Sequence, residues 1–197
     1  MLIGKTLEMR AGAVNMKKTD ARVRYTQRIL KESLLKILKE KPINKITVKE
    51  DCDLAELNRA TFYSHYSDCF ALLESIENEL VDAFGQALIL EKNFNVSSMI
   101  EAFYGIAENN RDACDVLIFG NMSSRVLQRM IWLARERSLA HWRQQLPKAT
   151  ENDLDLLYTH LSNGLLHVFV EGYAKYGKET ITAFVNRMLR SSLVPFQ

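Results

Sequence analysis

The sequence predicts an all-α protein of about nine helices, because its composition and its apolar periodicity point to the same class. Hydrophobic residues make up 47% of the 197-residue chain, whereas glycine and proline number only 8 and 3. This balance favours a packed, helix-rich globule over disorder or a fold of short strands. Apolar residues recur at helical spacing, as at Leu30, Leu34 and Ile37, and no stretch stands out as alternating between apolar and polar residues.

Charge is distributed unevenly along the chain, although the formal net charge is only +2. Residues 16–66 hold 12 Lys and Arg against 7 Asp and Glu, whereas residues 67–197 hold 12 against 16. A basic front end on an acidic body is typical of a nucleic-acid-binding module attached to another domain. Basic helix faces are also commonly just solvated, so charge alone does not identify the module.

Cysteine spacing and the lack of long apolar runs narrow the class of protein. Cys52, Cys69 and Cys114 are odd in number and far apart, which fits reduced thiols in a cytosolic protein. No apolar run approaches the roughly 20 residues that span a bilayer, and no signal peptide is recognisable. The four histidines are scattered and the glycines form no phosphate-binding loop. We therefore predict a cytoplasmic protein with no membrane association, no metal and no cofactor.

The first fifteen residues show no helical period, and the sequence from Met16, MKKTDARVRYTQ, looks like a natural protein start. Residues 1–15 are therefore predicted to be a disordered leader or a misassigned start. The first helix should run from about Ala21 to Glu40, with Thr19 or Asp20 as its N-cap.

Two short helices joined by a tight turn follow this first helix. Thr47 and Glu50 form a capping box, in which a hydroxyl and a carboxylate three residues apart bind backbone N–H groups. The first short helix then spans Val48–Ala55, and Asn58 is a suitable N-cap for the second, Arg59–Tyr66. Such a pair behind a long helix is the usual frame of a helix-turn-helix, although any three-helix bundle contains one.

The rest of the chain also has helical patterns separated by short breaks. A fourth helix opens at Ser67 or Asp68 and runs to about Leu88. The remaining helices are predicted near Ser98–Asn109, Asp112–Phe119, Ser124–Gln145, Glu151–Lys175 and Lys178–Leu193.

Motifs around the two short helices indicate a family. The run T-F-Y-x-H-Y, Thr61–Tyr66, follows Ile46-Thr47-Val48 by about fourteen residues, and the fourth helix begins D-x-F-x-L-L at Asp68. With these motifs, the stretch Thr19–Leu73 closely resembles the TetR family of bacterial transcriptional regulators. The resemblance implies a three-helix helix-turn-helix domain followed by a larger helical domain for ligand binding and dimerisation. It also implies a homodimer that binds double-stranded operator DNA and, in many members, responds to a small molecule.

The second short helix offers side chains suited to a DNA groove. Arg59 can donate a bidentate pair of hydrogen bonds to guanine, worth about 1–3 kcal/mol of discrimination, or it can bind a phosphate. Ala60 and Ser64 are small enough to let the helix approach base edges, and Thr47 can bind a phosphate at a helix N-terminus. The predicted DNA-binding set is Thr47, Asn58, Arg59, Ala60, Thr61, Tyr63, Ser64 and His65.

Aromatic residues of the same helix divide between the core and the DNA. Phe62 and Tyr66 lie four residues apart, so we expect both to pack against the first helix. Tyr63 and His65 fall on other faces. The resemblance implies that these two reach phosphates through a hydroxyl and an imidazole.

Three positions depart from the family pattern. Asp51 lies on the core face of the first short helix, where members usually have Ile, so its carboxylate must be paired, turned outward or protonated. Glu56 stands where members usually have Gly, because the residue after a helix often needs a left-handed backbone. Cys69 stands where members often have a Lys that reaches a phosphate.

The division of the chain that follows is a leader at 1–15, the helix-turn-helix domain at 16–66 and the ligand-binding and dimerisation domain at 67–197. In the family, the last two helices pack against their symmetry mates. The segment from Leu154 to Val170 has a broad apolar face that includes the small Gly164, and this suits such packing. The same apolar face could equally be core within one chain. The predicted dimer interface is Leu157, Leu161, Gly164, Leu165, Val168, Phe184 and Met188.

A ligand site in the larger domain is implied by the resemblance and not defined by the sequence. Aromatic residues at helical spacing are more often core than pocket. The candidate lining residues are Phe103, Tyr104, Trp132, His141, Trp142, Tyr158 and His160.

Three functional hypotheses remain. The first is a ligand-responsive regulator, acting as a repressor, in which an inducer moves the fourth helix like a lever. The second is a TetR-like coregulator or adaptor with weak or lost DNA binding that acts through a protein partner, as the departures at Asp51, Glu56 and Cys69 suggest. The third, a helical enzyme, has no nucleophile–base pair or metal motif in its favour, so we predict no enzymatic activity.

Overall fold

The computed structural model of the protein describes residues 3–90, 95–119 and 125–197. Across these ranges the chain forms nine α-helices and no strand, which confirms the predicted all-α class. The chain divides into two compact units, Met1–Ser75 and Ile76–Gln197. The predicted boundary lay after Tyr66. The first unit extends further because the next helix begins with Cys69 and Leu72, which are both buried.

The first unit contains three helices and the start of a fourth. These are α1 (Ile3–Leu38), α2 (Val48–Ala55), α3 (Arg59–Tyr63) and α4 (Cys69–Leu90). The bounds of α2 confirm the prediction, whereas α3 ends three residues early.

The start of α1 corrects two predictions. Because the helix is already formed at Ile3, the expected N-cap at Thr19 or Asp20 is wrong, and the described part of 1–15 is helical instead of a disordered leader. The physical reason lies in local propensity. Residues 3–15 contain no proline, and the helix-favouring Leu, Glu, Met, Ala, Arg and Lys outnumber the two glycines, Gly4 and Gly12, so the helix continues upstream.

The core of the first unit is small and mostly apolar, apart from the buried hydroxyls of Thr26 and Ser33 and one charged exception described below. Leu30 and Leu34 of α1 and Phe62 of α3 are fully buried, and Tyr66 is nearly so. The rings of Phe62 and Tyr66 lie 6.0 Å apart between centroids. The core role predicted for both aromatic residues is therefore confirmed.

The second unit is a bundle of the remaining helices. It contains most of α4, then α5 (Val96–Asn109), α6 (Arg111–Cys114), one π-helical turn (Asp115–Phe119), α7 (Arg125–Gln145), α8 (Glu151–Gly172) and α9 (Lys178–Leu193). No helix in the described ranges has the length and apolar character that crossing a membrane requires.

The end of α8 shows how two helices of this bundle meet. The predicted end was Lys175, but the helix stops at Gly172. A Cβ atom at Gly172 would lie 3.0 Å from Cδ1 of Ile181 on α9. A side chain at this position would therefore force Ile181 to move by a few tenths of an ångström, so glycine suits the close approach of α9.

Candidate DNA interface and effector cavity

The N-terminus of α2 is closed by the predicted capping box. The Thr47 hydroxyl accepts a hydrogen bond from Glu50 N–H at 3.3 Å, and the Glu50 carboxylate accepts from Thr47 N–H at 2.9 Å. Lys41 also donates to Glu50, and its hydrogen bond together with those from Thr47 lowers the pKa of Glu50 to about 2. Thr47 is exposed, but both its hydroxyl and its amide are engaged with Glu50, so it holds α2 in place.

The turn after α2 adopts the left-handed backbone that the sequence predicts. Glu56 has φ 55° and ψ 37°, and it is the sole non-glycine residue with positive φ in the described part of the chain. This conformation costs a side-chain-bearing residue about 1 kcal/mol relative to glycine. The turn is nevertheless closed normally, because Leu57 N–H donates to the Cys52 carbonyl at 2.9 Å.

The N-terminus of α3 is capped by Asn58, as predicted. Asn58 Oδ1 accepts hydrogen bonds from Thr61 N–H at 2.7 Å and from the Thr61 hydroxyl at 3.0 Å. Ser64 donates its hydroxyl to the Thr61 carbonyl at 2.7 Å, where α3 ends. The His65 amide donates to the Phe62 carbonyl, three residues earlier, and not to that of Thr61, so the regular i→i−4 series is interrupted before Tyr66.

One face of α3 is open to solvent and carries the predicted reading residues. Arg59, Ala60, Tyr63 and Ser64 are exposed, with Tyr63 57% exposed, whereas His65 is half-buried. Arg59 makes no hydrogen bond or ion pair with any described residue. Its guanidinium is therefore available to a guanine edge or to a phosphate.

Asp51 is the exception in the core of the first unit. Its side chain is 0% exposed, and neither carboxylate oxygen has a hydrogen-bond partner among the described residues. The nearby Ser33 hydroxyl donates to the Asp51 backbone carbonyl at 3.0 Å, not to the carboxylate. Burial raises the pKa of Asp51 to about 6. Of the three outcomes expected from the sequence, pairing and outward rotation do not occur. The carboxyl group is therefore protonated below about pH 6 and is a buried, unpaired carboxylate above it.

Cys69 does not replace the basic side chain expected at the start of α4. It is 3% exposed, and burial, followed by the nearby Asp51, raises the pKa of its thiol to about 11. The thiol is therefore neutral and faces the interior. The first unit accordingly lacks one phosphate contact that the resemblance would imply.

An apolar cavity lies inside the second unit. It encloses about 690 Å³ of empty space, including its opening to solvent, and its walls come from α4, α5, α7, α8 and α9. Tyr158 and Phe169 of α8, Phe84 of α4 and Phe103 of α5 are among its lining residues, and the rings of Phe103 and Phe169 lie 5.1 Å apart between centroids. The space that the centre of a water-sized molecule can occupy inside it is about 70 Å³. An apolar lining with a few polar groups is the chemistry usual in small-molecule sites.

Comparison with known proteins gives one short sequence match and several long structural matches. No family model matches the chain. An uncharacterized HTH-type transcriptional regulator, YxbF of Bacillus subtilis (strain 168), is 36% identical over 59 residues, a match that spans 30% of this chain and only 16% of that protein. A TetR transcriptional regulator from Streptococcus agalactiae 2603V is similar over 88% of this chain and 98% of its own, with a TM-score of 0.59 and 20% identity. A transcriptional regulator of the TetR/AcrR type from Aquifex aeolicus VF5 covers 84% and 98%, with a TM-score of 0.58 and 16% identity. The chain has the TetR fold.

Of the residues predicted to line a ligand site in this TetR fold, Phe103, Trp142 and Tyr158 line the cavity. The others lie elsewhere. Trp132 is 73% exposed and His160 is also on the surface.

Tyr104 and His141 belong to two separate grooves. Tyr104 is buried, its hydroxyl has no partner in the described part of the chain, and its ring lies 5.5 Å from Lys178 Nζ. His141 lines a polar groove beside the cavity that also contains Arg190.

Several lining residues escaped the sequence argument, among them Phe84, Ser162 and Phe169. The available signal was the stripe on α8 at helical spacing. A stripe of this kind looks the same whether it faces a cavity, a solid core or a partner.

The predicted dimer residues of α8 and α9 divide between the interior and the surface. Leu161 is 5% exposed and lines the cavity, so its assignment to a dimer interface is wrong. Leu165 is half-buried and also lines the cavity. Gly164, Phe184 and Met188 are exposed, and Leu157 and Val168 are half-buried.

Proposed function

We propose that this protein is a transcriptional repressor of the TetR type. As a homodimer in the cytoplasm, it binds operator DNA through α3 and releases it when a small molecule occupies the cavity. The observation that carries this proposal is the exposed face of α3, where the unpaired Arg59 lies beside the small Ala60 and Ser64. A helix with this face can enter the major groove and place a guanidinium against base edges.

The roles of the predicted DNA-binding residues divide accordingly. Arg59, Ala60 and Ser64 approach the base edges, and Tyr63 and His65 bind phosphates. Asn58 and Thr61 are engaged with each other, so they shape the helix start. A Thr47–phosphate contact stays a prediction, and it requires the hydroxyl or amide of Thr47 to leave Glu50.

The test is an anisotropy titration of a labelled duplex from the region upstream of the gene. We expect Arg59→Ala to weaken binding by about 1–3 kcal/mol per half-site. Arg59→Lys keeps the charge but loses the bidentate geometry, so selective loss of specific over non-specific binding would indicate a base contact. Equal binding by Arg59→Lys would indicate a phosphate contact instead.

The matched control is Lys148→Ala, which removes one exposed positive charge from the turn between α7 and α8. Its affinity for DNA should equal that of the wild type at matched salt. Failure of a folded, dimeric wild-type protein to bind at low salt would refute the repressor proposal.

Dimerisation is proposed through α8 and α9 because their outer surfaces carry exposed apolar side chains. Leu156 on α8 and Phe184 and Met188 on α9 are all exposed large hydrophobic residues. We expect light scattering to report a dimer at micromolar concentration and Met188→Glu to shift it to monomer. Tyr176→Glu, at another exposed hydrophobic residue just beyond α8, is the control that should remain dimeric.

The release step is proposed to act through α4. This helix runs without a break from Cys69 to Leu90, and its Phe84 lines the cavity. A ligand that displaces Phe84 would shift α4 and move the recognition helices away from their half-sites. Ligand that binds without changing DNA affinity would contradict this step.

A second candidate is a TetR-like coregulator that has weak or no DNA binding and acts through a protein partner. The buried Cys69, which cannot replace the expected phosphate-binding cation, is the observation that favours it. The low-salt titration separates the two candidates, because a folded dimer without DNA affinity is expected only for the coregulator.

A further inference from the structure

The lining of the cavity restricts the charge of the molecule that it can hold. Within the described part of the chain, no Lys, Arg, Asp, Glu or His side chain contributes to its walls. A charged group placed there would lose its hydration and find no counter-ion. The cavity therefore selects against both anions and cations.

Three hydroxyl groups line the cavity, and two of them already donate a hydrogen bond. The Ser138 hydroxyl donates to the Ala134 carbonyl at 2.8 Å, one helical turn earlier. The Tyr158 hydroxyl donates to the Ile131 carbonyl, and burial raises the pKa of this phenol, so it stays protonated at neutral pH. Neither hydrogen is free for a ligand.

Ser162 carries the third hydroxyl and differs from the other two. Its Oγ is buried and has no hydrogen-bond partner in the described residues. A serine inside a helix ordinarily donates to the carbonyl four residues earlier, as Ser138 does. Because buried hydroxyls are nearly always paired, the free Oγ of Ser162 marks a position for a polar atom of a ligand.

We propose that the effector is an uncharged, largely hydrophobic molecule with one hydroxyl or carbonyl group, which hydrogen-bonds to Ser162. This inference rests on the proposed function, since it specifies the ligand of the same cavity. Phe84, Phe103, Trp142 and Phe169 surround the apolar body of the ligand.

The competing occupant is an amphipathic anion. The polar groove that contains Arg190 shares Ser138, Trp142 and Leu189 with the cavity wall. An apolar tail in the cavity could leave a carboxylate beside Arg190. Ser162 is not part of this groove, so an anion of this kind would not require its hydroxyl.

The experiment compares three probes of one chain length: octan-1-ol, octane and octanoate. Binding is measured through Trp142 fluorescence in a Trp132→Phe background, because the chain has only two tryptophans. We expect octan-1-ol to bind at least tenfold more tightly than octanoate. Ser162→Ala should weaken the binding of octan-1-ol by about three- to tenfold and leave the affinity for octane unchanged.

Two variants serve as controls. Ser192→Ala removes a hydroxyl of α9 outside the cavity lining that already donates to the Met188 carbonyl, so octan-1-ol binding should not change. Ser162→Thr keeps a hydroxyl and should restore affinity. Circular dichroism establishes that each variant is folded.

Three outcomes would overturn the inference. Octanoate could bind as tightly as octan-1-ol and lose affinity in Arg190→Ala; Ser162→Ala could weaken octane and octan-1-ol equally; or none of the probes could bind. These titrations contain no DNA. Binding of octan-1-ol without operator binding would refute the proposed repressor and leave the ligand class intact, whereas the reverse would refute only the ligand class.

Discussion

The two short helices of the first unit satisfy local rules to different degrees. In α3, Asn58 caps the helix, Phe62 faces the core and Arg59 faces solvent. In α2, the cap is equally good, but Asp51 is buried without a partner and Glu56 holds a positive φ. Both unfavourable features lie in α2 or at its C-terminal end. Neither lies in α3, the helix whose exposed face is proposed to contact DNA.

The difference between α2 and α3 indicates that the residues that lower stability are not the residues proposed to contact DNA. The buried carboxylate and the strained turn raise the free energy of the folded first unit, but neither side chain belongs to the exposed face of α3. We therefore infer that the departures lower stability more than they alter the DNA contacts. Each prediction below tests this separation.

The largest effect is expected for the buried anchor of α3. Phe62→Ala should destabilise the first unit by about 3–5 kcal/mol, because it removes a fully buried ring from a small core. Amide hydrogen exchange of α2 and α3 in the full chain measures this effect. Tyr63→Ala, at an exposed aromatic residue of the same helix, should leave the exchange nearly unchanged; equal losses would contradict the assigned faces.

The second-largest change in stability is expected when the buried carboxylate of Asp51 is replaced. Asp51→Leu replaces it with an apolar side chain that branches at the same carbon, so at pH 8 we expect a gain of about 2–3 kcal/mol in the stability of the first unit. Asp51→Asn should gain less, because its amide also lacks partners. The same exchange measurement applies, and DNA affinity at saturating folded protein should not change. A destabilised Asp51→Leu would show that the carboxylate has a partner.

The pH dependence of this gain follows from the sign of the pKa shift. The folded pKa of Asp51 is about 6 and the unfolded value 3.8, so the folded state binds more protons between them. Wild-type stability should therefore fall as pH rises from about 4 to 6 and then level off. The difference between wild type and Asp51→Leu should grow over that window; a constant difference would contradict the raised pKa.

Glu50 provides an opposite reference one residue away. Its pKa is lowered from 4.5 to about 2 by Lys41 and Thr47, so its contribution to stability is present above 4.5 and lost as pH falls towards 2. Lys41→Ala should return the pKa of Glu50 towards 4.5 and therefore make the stability of α2 less dependent on pH in this range, measured by exchange at pH 3 and pH 5. An unchanged profile would show that the Thr47 hydrogen bonds alone hold this carboxylate ionised.

The smallest effect concerns the turn. Glu56→Gly should stabilise the first unit by about 1 kcal/mol, because glycine adopts φ 55° without steric cost. Urea titration followed by far-UV circular dichroism measures the shift. A loss of stability would show that the gain in chain entropy of unfolded glycine outweighs the relief of strain.

Prediction from sequence succeeded where short-range rules decide the structure. The capping box of Thr47 and Glu50, the Asn58 cap, the bounds of α2 and the core roles of Phe62 and Tyr66 depend on residues within one or two turns of each other. It failed at the start of α1, where good helix formers extended the helix past a plausible cap. It also placed Leu161 at a dimer surface, because an apolar stripe on a helix does not distinguish a face toward the protein interior from a face toward a second chain.

The sequence by itself determined the all-α class, the helix-turn-helix and its solvent-facing residues, since periodicity and capping are local properties of the chain. Tertiary structure alone decided the state of Asp51 and the shape of the cavity. Whether a carboxylate finds a partner, or a stripe encloses empty space, depends on side chains brought together from helices far apart in sequence. For that reason the unpaired hydroxyl of Ser162 could be identified only from the packing of the five helices that form the cavity.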